Sequence, residues 1–382
     1  MSFSLYVHIP YCESKCPYCD FNSYAVKGWP EAEYVQALVA ELRTRAAQAP
    51  WAGSALRTVF FGGGTPSLFQ PSSLGRVLEE ADRLFGIQAD AEITAEANPG
   101  TVDLIKLRGM HEAGLNRVSF GAQSFNPKTL QFLGRIHSAD QTAAAVEQAR
   151  AGGFRQLNLD LIFAVPGQSV DDVAYDIATA AALGPDHISA YNLTFEEGTA
   201  FGAALKAGRM RQLPDDRQAD MYAMVRSELP RRGYAMYEIS NYARPGCEAR
   251  HNLTYWRGES YLAIGAGAHS YAADGPTGRR WWNERLPASY IAKARRDGIA
   301  EAGNETPDAA LSASEFAFLN LRLIDGLELS RFADRFGITF EERFGSRLER
   351  LIEGELLLRE GGRVRLSERG LELADSVFAE FL

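Results

Sequence analysis

Cys12, Cys16 and Cys19 set three thiols within eight residues, in the spacing Cys-x3-Cys-x2-Cys, and the fourth cysteine, Cys247, lies far along the chain. Three thiolates on one short loop can hold three irons of a cubane [4Fe–4S] cluster, whose full protein ligation takes four cysteines. One iron would then stay open, which a reactive metal site needs and a structural one avoids. Zinc is the competing metal, although its sites usually pair Cys-x2-Cys or Cys/His units and this loop offers one.

Four cysteines in 382 residues are too few for a disulfide scaffold. The N-terminus has no basic region leading an apolar run, and no apolar stretch approaches the roughly 18 residues that span a bilayer. A cytoplasmic, reducing setting is expected, where clustered cysteines bind metal or do redox chemistry. Apolar residues make up 46% and charged ones 23%, a globular balance, and the net charge of −9 argues against a surface built to grip nucleic acid.

The thiols need a frame. Strand-like segments at 5–9, 58–61, 92–96, 117–121, 157–163 and 187–192 alternate with helix-like stretches at 31–47, 72–85, 102–112, 139–151 and 170–183. This is the order that builds a parallel sheet. Segment 157–163 reads as a near-continuous apolar run buried on both faces. Six units predict an α/β fold, a partial (β/α)6 barrel rather than the closed eightfold one. Polar or glycine residues mark the strand ends: the cysteine loop, Gly62-Gly63-Gly64-Thr65, Glu96, Gln123, Asp160 and Asn192. Any one could be an ordinary loop residue, but six along one rim predict a shared site.

The barrel is expected over 1–230. Residues 231–303 form an aromatic- and glycine-rich extension, read as irregular structure beside the barrel, with 304–308 as a linker. Residues 310–382 read helix, helix, helix, hairpin, helix, which makes 304–382 a small winged-helix-like α+β domain with its hairpin turning at Gly361-Gly362 and its last helix opening at Ser367. Winged helices often bind DNA. Residues 301–382, however, hold ten arginines, no lysine and seventeen acidic residues, a net −7, so no nucleic-acid partner is expected.

Taken together, several segments carry a resemblance. They are the cysteine spacing, Tyr6-Val-His-Ile-Pro-Tyr-Cys12, Gly62-Gly-Gly-Thr-Pro66, Glu96-Ala-Asn-Pro99, Gly121-Ala-Gln-Ser-Phe125, Leu133-Gly-Arg-Ile-His137 and Asp160-Leu-Ile-x3-Pro166-Gly-Gln168. Over nearly its whole length the chain resembles the oxygen-independent coproporphyrinogen-III oxidase-like family of radical S-adenosylmethionine (SAM) proteins. The resemblance implies a radical-SAM barrel with Cys12, Cys16 and Cys19 on the cluster and SAM chelated at the open iron. It places Tyr6, Gly63 and Glu96 on that SAM. It matches Tyr18, Gly64, Thr65, Gln123, Arg135, Asp160 and Thr194 to positions that contact a second SAM in the oxidase. Asp160 could meet ribose hydroxyls, as acidic residues do in nucleotide sites, or be a buried carboxylate held by hydrogen bonds.

Two departures separate the chain from the oxidase proper, which has a further cysteine where Phe21 stands and a longer arm before its first strand. Both match the HemW-type heme chaperone branch, as does His251-Asn-Leu-Thr-Tyr255-Trp256. On residue types alone this motif is a packed aromatic turn around a hydrogen-bonded histidine. The resemblance makes His251, Tyr255 and Trp256 a heme site, imidazole being a common axial ligand and the two rings offering flat apolar area. Cys247 is a second soft ligand or a small buried residue. His8 reads as structural, facing away from Tyr6, and His269, in a tight loop near the barrel's end, could line the site but reads first as structural. The branch implies a protein that binds heme and passes it to an acceptor hemoprotein, a membrane respiratory enzyme, working in the cytoplasm or peripherally at the inner membrane. The alternative is the oxidase reaction, radical decarboxylation of coproporphyrinogen III.

Overall fold

Along β1 (Ser2–Ile9), Phe3, Leu5, Val7 and Ile9 enter the main hydrophobic core. Ser4, Tyr6 and His8 alternate with them on the opposite face, inside the barrel. The computed structural model, which describes residues 2–382, repeats this pattern in β2 (Ala55–Gly63), β3 (Ile87–Ala97), β4 (Arg117–Gln123), β5 (Gln156–Phe163) and β6 (His187–Asn192). In β5, Leu157, Leu159 and Leu161 join the core, and Asn158 between them, on the barrel's inner face, donates to Ser119 of the neighbouring strand and to Asp160. The expected continuous apolar run is therefore an alternating one, with a polar inner face.

β1 to β6 lie side by side, all parallel. Their outer face is covered by α1 (Glu31–Ala46), α2 (Pro71–Phe85), α3 (Leu104–Glu112), α4 (Ala139–Ala151) and α5 (Val170–Ala182). Side-chain caps start several of them. Ser138 with Gln141 and Ser169 with Asp172 form capping boxes at α4 and α5, satisfying N–H groups the first turn leaves free.

The extension is not irregular. After α6 (Asp215–Arg231), β7 (Ala235–Glu238) and β8 (Asn241–Ala243) continue the sheet antiparallel beyond β6. α7 (Arg250–Trp256) follows, and then β9 (Tyr261–Ile264) pairs parallel with the free edge of β1. β10 (His269–Asp274), β11 (Thr277–Asn283) and β12 (Glu301–Glu305) extend that edge antiparallel, for twelve strands in one sheet. The parallel part thus has seven strands rather than six, and β12 runs into the segment expected as a linker. α8 (Pro287–Asp297) packs on α1.

α9 (Ala309–Leu321), α10 (Leu329–Phe336) and α11 (Phe340–Glu353) precede the hairpin Leu357–Glu360/Arg363–Leu366, to which Leu327–Glu328 adds a third strand. Phe316, Phe332, Phe340 and Phe344 centre a separate core there. This is the winged-helix arrangement the sequence predicts. The domain meets the barrel where Arg322 lies 4.2 Å over the Trp256 ring. Among the described residues no helix is long and apolar enough to cross a membrane.

Candidate functional site

The cysteine loop is tied down at both ends. Tyr11–Cys12 pairs with Tyr24–Ala25, and the Tyr24 N–H donates to the Pro10 carbonyl at 2.7 Å. Inside the loop, Lys15 Nζ donates to the carbonyls of Phe21 and Ser23, 3.1 Å each. The glycine turn after β2 lies against it. Gly64 N–H donates to Ile9 O at 2.7 Å and Thr65 N–H to Tyr11 O at 2.8 Å. A Cβ on Gly64 would stand 2.6 Å from Tyr11 O, so this backbone-to-backbone approach requires glycine. Gly63 has φ 110°, and the His8 ring fills the space its Cβ would need.

His8 does not face away from Tyr6, because residues two apart share a strand face. Its Nε2–H donates to Asn22 O at 2.9 Å, leaving Nδ1 to accept from the Tyr6 hydroxyl at 3.0 Å. Burial lowers its pKa to about 4, so the ring is neutral and this tautomer follows.

Each thiol has one donor beside it. Thr65 Oγ1 lies 3.5 Å from Cys12 Sγ, Arg135 Nη1 3.2 Å from Cys16 Sγ and Ser23 Oγ 3.8 Å from Cys19 Sγ. Burial pushes the Cys12 and Cys19 thiols up. All four cysteines are free thiols, and among the described residues no three His, Cys, Asp or Glu side chains gather round one ion-sized point.

Beside Cys19 opens a cavity of about 790 Å3, whose walls include Tyr18, Glu96, Gln123, Asp160 and Thr194. Glu96 Oε2 accepts from Gly63 N–H at 3.0 Å, which links the cavity to the glycine turn. Burial, and secondarily the neighbouring Asp160, push the Glu96 pKa up to about 8. Asp160 accepts from Ser119 Oγ at 2.9 Å and Asn158 Nδ2 at 2.8 Å and still faces the cavity. It is a buried carboxylate held by hydrogen bonds that also lines the cavity. Gln123 has φ 65°, at the break in register between β4 and β5. Arg135 reaches from behind, with Nη2 on Gly121 O at 3.0 Å. Leu373 and Asp375 of the C-terminal domain close one side, and Phe21, exposed, lies at the mouth.

Two residues that position the rim stand outside every motif. Glu41, fully buried in α1, accepts from Tyr290 Oη at 2.7 Å, Asn283 Nδ2 at 2.8 Å and Gly265 N–H at 3.2 Å. Tyr34 donates to His8 O and accepts from Ala266 N–H, 2.8 Å each. Their sequence signal is a carboxylate and a phenol on the apolar face of α1, beside Leu38 and Leu42.

α7 lies within the barrel's lower end. The Glu92 carboxylate accepts from the N–H groups of Arg250 and His251, 3.0 Å each. His251 is 1% exposed. Its Nδ1 is 2.8 Å from Thr58 Oγ1 and its Nε2 2.8 Å from Tyr255 Oη, and the ring stacks on Phe60. Burial lowers its pKa to about 3. Both ring nitrogens are engaged by side-chain hydroxyls, and the ring is the hydrogen-bonded centre of a packed turn. Trp256 stacks under Arg322, and Tyr255 lines a second cavity of about 190 Å3 bounded by β10 and α9. Cys247 is at the floor, its carbonyl accepting from Arg117 Nη1 at 3.0 Å, at the opposite end of the strands from the cluster loop.

Residues 6–180 match the model of the radical SAM superfamily, and residues 312–373 that of the HemN C-terminal domain. The heme chaperone HemW of Bacillus subtilis is 36% identical over 99% of both chains. That of Mycobacterium tuberculosis (H37Rv) is 38% identical over 100% of this chain and 95% of its own. Among solved structures, coproporphyrinogen III oxidase (HemN) from Escherichia coli superposes with a TM-score of 0.84 at 23% identity, covering 99% of this chain and 89% of that one. At that identity the likeness is one of fold.

Proposed function

The chain belongs to the HemW heme chaperone family of the radical SAM superfamily, and we propose that it binds a [4Fe–4S] cluster and SAM at the barrel rim, carries heme and hands it to an acceptor hemoprotein. Kinship along the full chain with relatives named heme chaperones carries the reading of the cargo. The gathering of motif residues from separate strands around one cavity beside Cys19 supports the cofactor site.

In this reading Cys12, Cys16 and Cys19 hold three irons. A cluster so bound supplies an open iron and a low-potential electron. The protein's part is binding and orientation. The turn at Gly62–Gly64 lets backbone approach the amino-acid end of SAM, and Glu96 would accept a hydrogen bond from its amino group. His8 holds the Tyr6 hydroxyl in place beside them. Arg135 sets positive charge beside the Cys16 sulfur. Asp160 and Gln123 meet polar edges across the cavity, with Tyr18, Gly64, Thr65 and Thr194 framing the side where the oxidase holds a second SAM. The C-terminal domain shields the space from water. The acceptor we propose is a respiratory hemoprotein of the membrane, met from the cytoplasmic side.

The test is an anaerobic titration of cluster-loaded protein with heme, followed at the Soret band, and then mixing with an apo-hemoprotein. Saturable binding and passage of the band to the acceptor are expected. Protein that binds no heme overturns the reading. So does conversion of coproporphyrinogen III to protoporphyrinogen with matching 5′-deoxyadenosine.

A further inference from the structure

A chain that binds SAM and carries heme must keep a net cation and a carboxylated tetrapyrrole apart. We propose that the rim of the large cavity beside Cys19 is an electrostatic filter, in which Asp20, Glu196, Asp215 and Asp375 draw SAM toward the cluster and turn carboxylated tetrapyrroles away from it. The proposal rests on the reading of the rim as a cluster and SAM site.

Volume does not make this distinction. At about 790 Å3 the cavity falls within the roughly 300–1,000 Å3 of pockets that enclose a cofactor-sized ligand. Charge does make it. Seven carboxylates line the cavity against one cation, Arg322. The four named above come from four separate segments: the cysteine loop, the loop after β6, the first turn of α6 and the C-terminal domain. All four are exposed, and among the described residues none takes an ion pair. The basic side chains close by in sequence pair elsewhere, Lys206 with Glu197, Arg217 with Asp220 and Arg226 with Glu368 and Glu372. A carboxylate in the first turn of a helix has a stabilising role of its own, which accounts for Asp215 alone of the four.

The one arginine is spent. Arg322 Nη2 lies 3.4 Å from the Glu238 carboxylate, and its guanidinium is 4.2 Å over the Trp256 ring. An entering propionate therefore meets no free cation in this wall. Nor are the nearby amides free, since Asn192 Nδ2 donates to Gln218 Oε1 at 2.8 Å and Gln218 Nε2 to Leu213 O at 2.7 Å. Glu96 and Asp160 lie deeper, where burial raises both pKa values, so the fixed charge of the filter is that of the four exposed groups.

A cleft lined by one sign of charge between low-dielectric walls focuses its field and speeds entry of the opposite charge by roughly 10- to 1,000-fold. SAM arrives in solution with a sulfonium and an ammonium against a single carboxylate, and is drawn in. Heme and coproporphyrinogen bring only carboxylates on their rims, and are repelled. One chain can then hold a cluster and a tetrapyrrole without the second covering the open iron of the first. The same charge makes a cavity of sufficient volume a poor site for a tetracarboxylate substrate.

The experiment uses the full cluster-loaded chain under anaerobic conditions. A rim variant, Glu196→Gln with Asp215→Asn and Asp375→Asn, is compared with the parent and with an outer variant, Glu79→Gln with Glu147→Gln and Glu349→Gln. The outer variant removes the same charge from exposed sites on α2, α4 and α11. Asp20 stays, because it adjoins Cys19. Stopped-flow mixing with SAM, read by cluster absorbance, should be about tenfold slower in the rim variant at low salt, and the proteins should converge near 1 M salt, where the Debye length is about 3 Å. Coproporphyrin III, the tetracarboxylate probe, should displace SAM at least about tenfold more readily from the rim variant than from the parent. Unchanged melting midpoint and cluster absorbance establish folding, and Asp375→Lys alone, a single reversal in the C-terminal domain, should shift both readouts the same way. Parental rates and parental competition in the rim variant overturn the filter, as does an outer variant that behaves like the rim variant. A parent that binds no SAM overturns instead the reading of the rim beneath it.

Discussion

Binding of SAM should depend on pH through Glu96. In the free protein its pKa is pushed up to about 8, first by burial and then by Asp160 across the cavity. Tyr6 on β1 and Tyr255 on α7 also face it, and the Gly63 N–H bond pulls the other way. A carboxyl with that pKa is ionised in about one molecule in ten at pH 7 and one in a hundred at pH 6. An amino N–H of bound SAM donates to the ionised carboxylate and favours that form, so binding expels the proton. Apparent affinity is the intrinsic value scaled by the competent fraction. It should therefore rise about 50-fold from pH 6 to pH 8, then flatten. The ligand's own amine titrates near 8 and adds a slope of its own, which Glu96→Gln keeps. Calorimetric titration of cluster-loaded protein in two buffers of different protonation enthalpy reads the proton count directly. The parent should release about one proton more per SAM than Glu96→Gln at pH 6–7. Equal proton release and parallel pH profiles in the two proteins would refute the argument.

Gly63→Ala must adopt φ 110°, at roughly 1–2 kcal/mol, and also strikes the His8 ring. SAM binding should weaken by more than tenfold, and adding His8→Ala should recover the steric part only. A double variant no better than the single one contradicts the packing of His8 on Gly63. Glu41→Ala leaves Asn283, Tyr290, Gly265 N–H and the buried Arg45 short of an acceptor. Stripping a buried charge network of one partner costs about 3–5 kcal/mol, to be read from the urea midpoint, and a loss below about 1 kcal/mol would place the network's importance elsewhere.

What the sequence made legible was local. Cysteine spacing, glycine turns and helices with their own caps are contained within a dozen residues, and 139–151 was placed to the residue. What it hid was set by distance. Tyr261-Leu-Ala-Ile is too short, in too glycine-rich a stretch, to announce itself as a strand, and it becomes one because the edge of β1 is there to pair with. The state of His251 depends on Thr58 and Glu92, brought from β2 and β3, and no pattern around residue 251 contains them. The inner polar positions of β5 were in plain view as Asn158 and Asp160. They were read through the apolar residues around them, and it took the barrel to separate the two faces.

The placement of β9 has a consequence for how the protein is made. β1 leaves the ribosome well before one of its two partners, which pairs Ala263 with Tyr6 and lies 257 residues downstream. At roughly 5–20 residues per second, one edge of the strand that leads into the cysteine loop waits about 13 to 50 s for its neighbour. During that interval an unpaired edge of Val- and Ile-bearing backbone is open to other chains, and the turn that steadies Asn22 does not yet exist. Maturation is therefore ordered in time. Closure of that edge by the late strand comes before the loop is fully braced at Asn22, whose Nδ2 donates to Ala266 O.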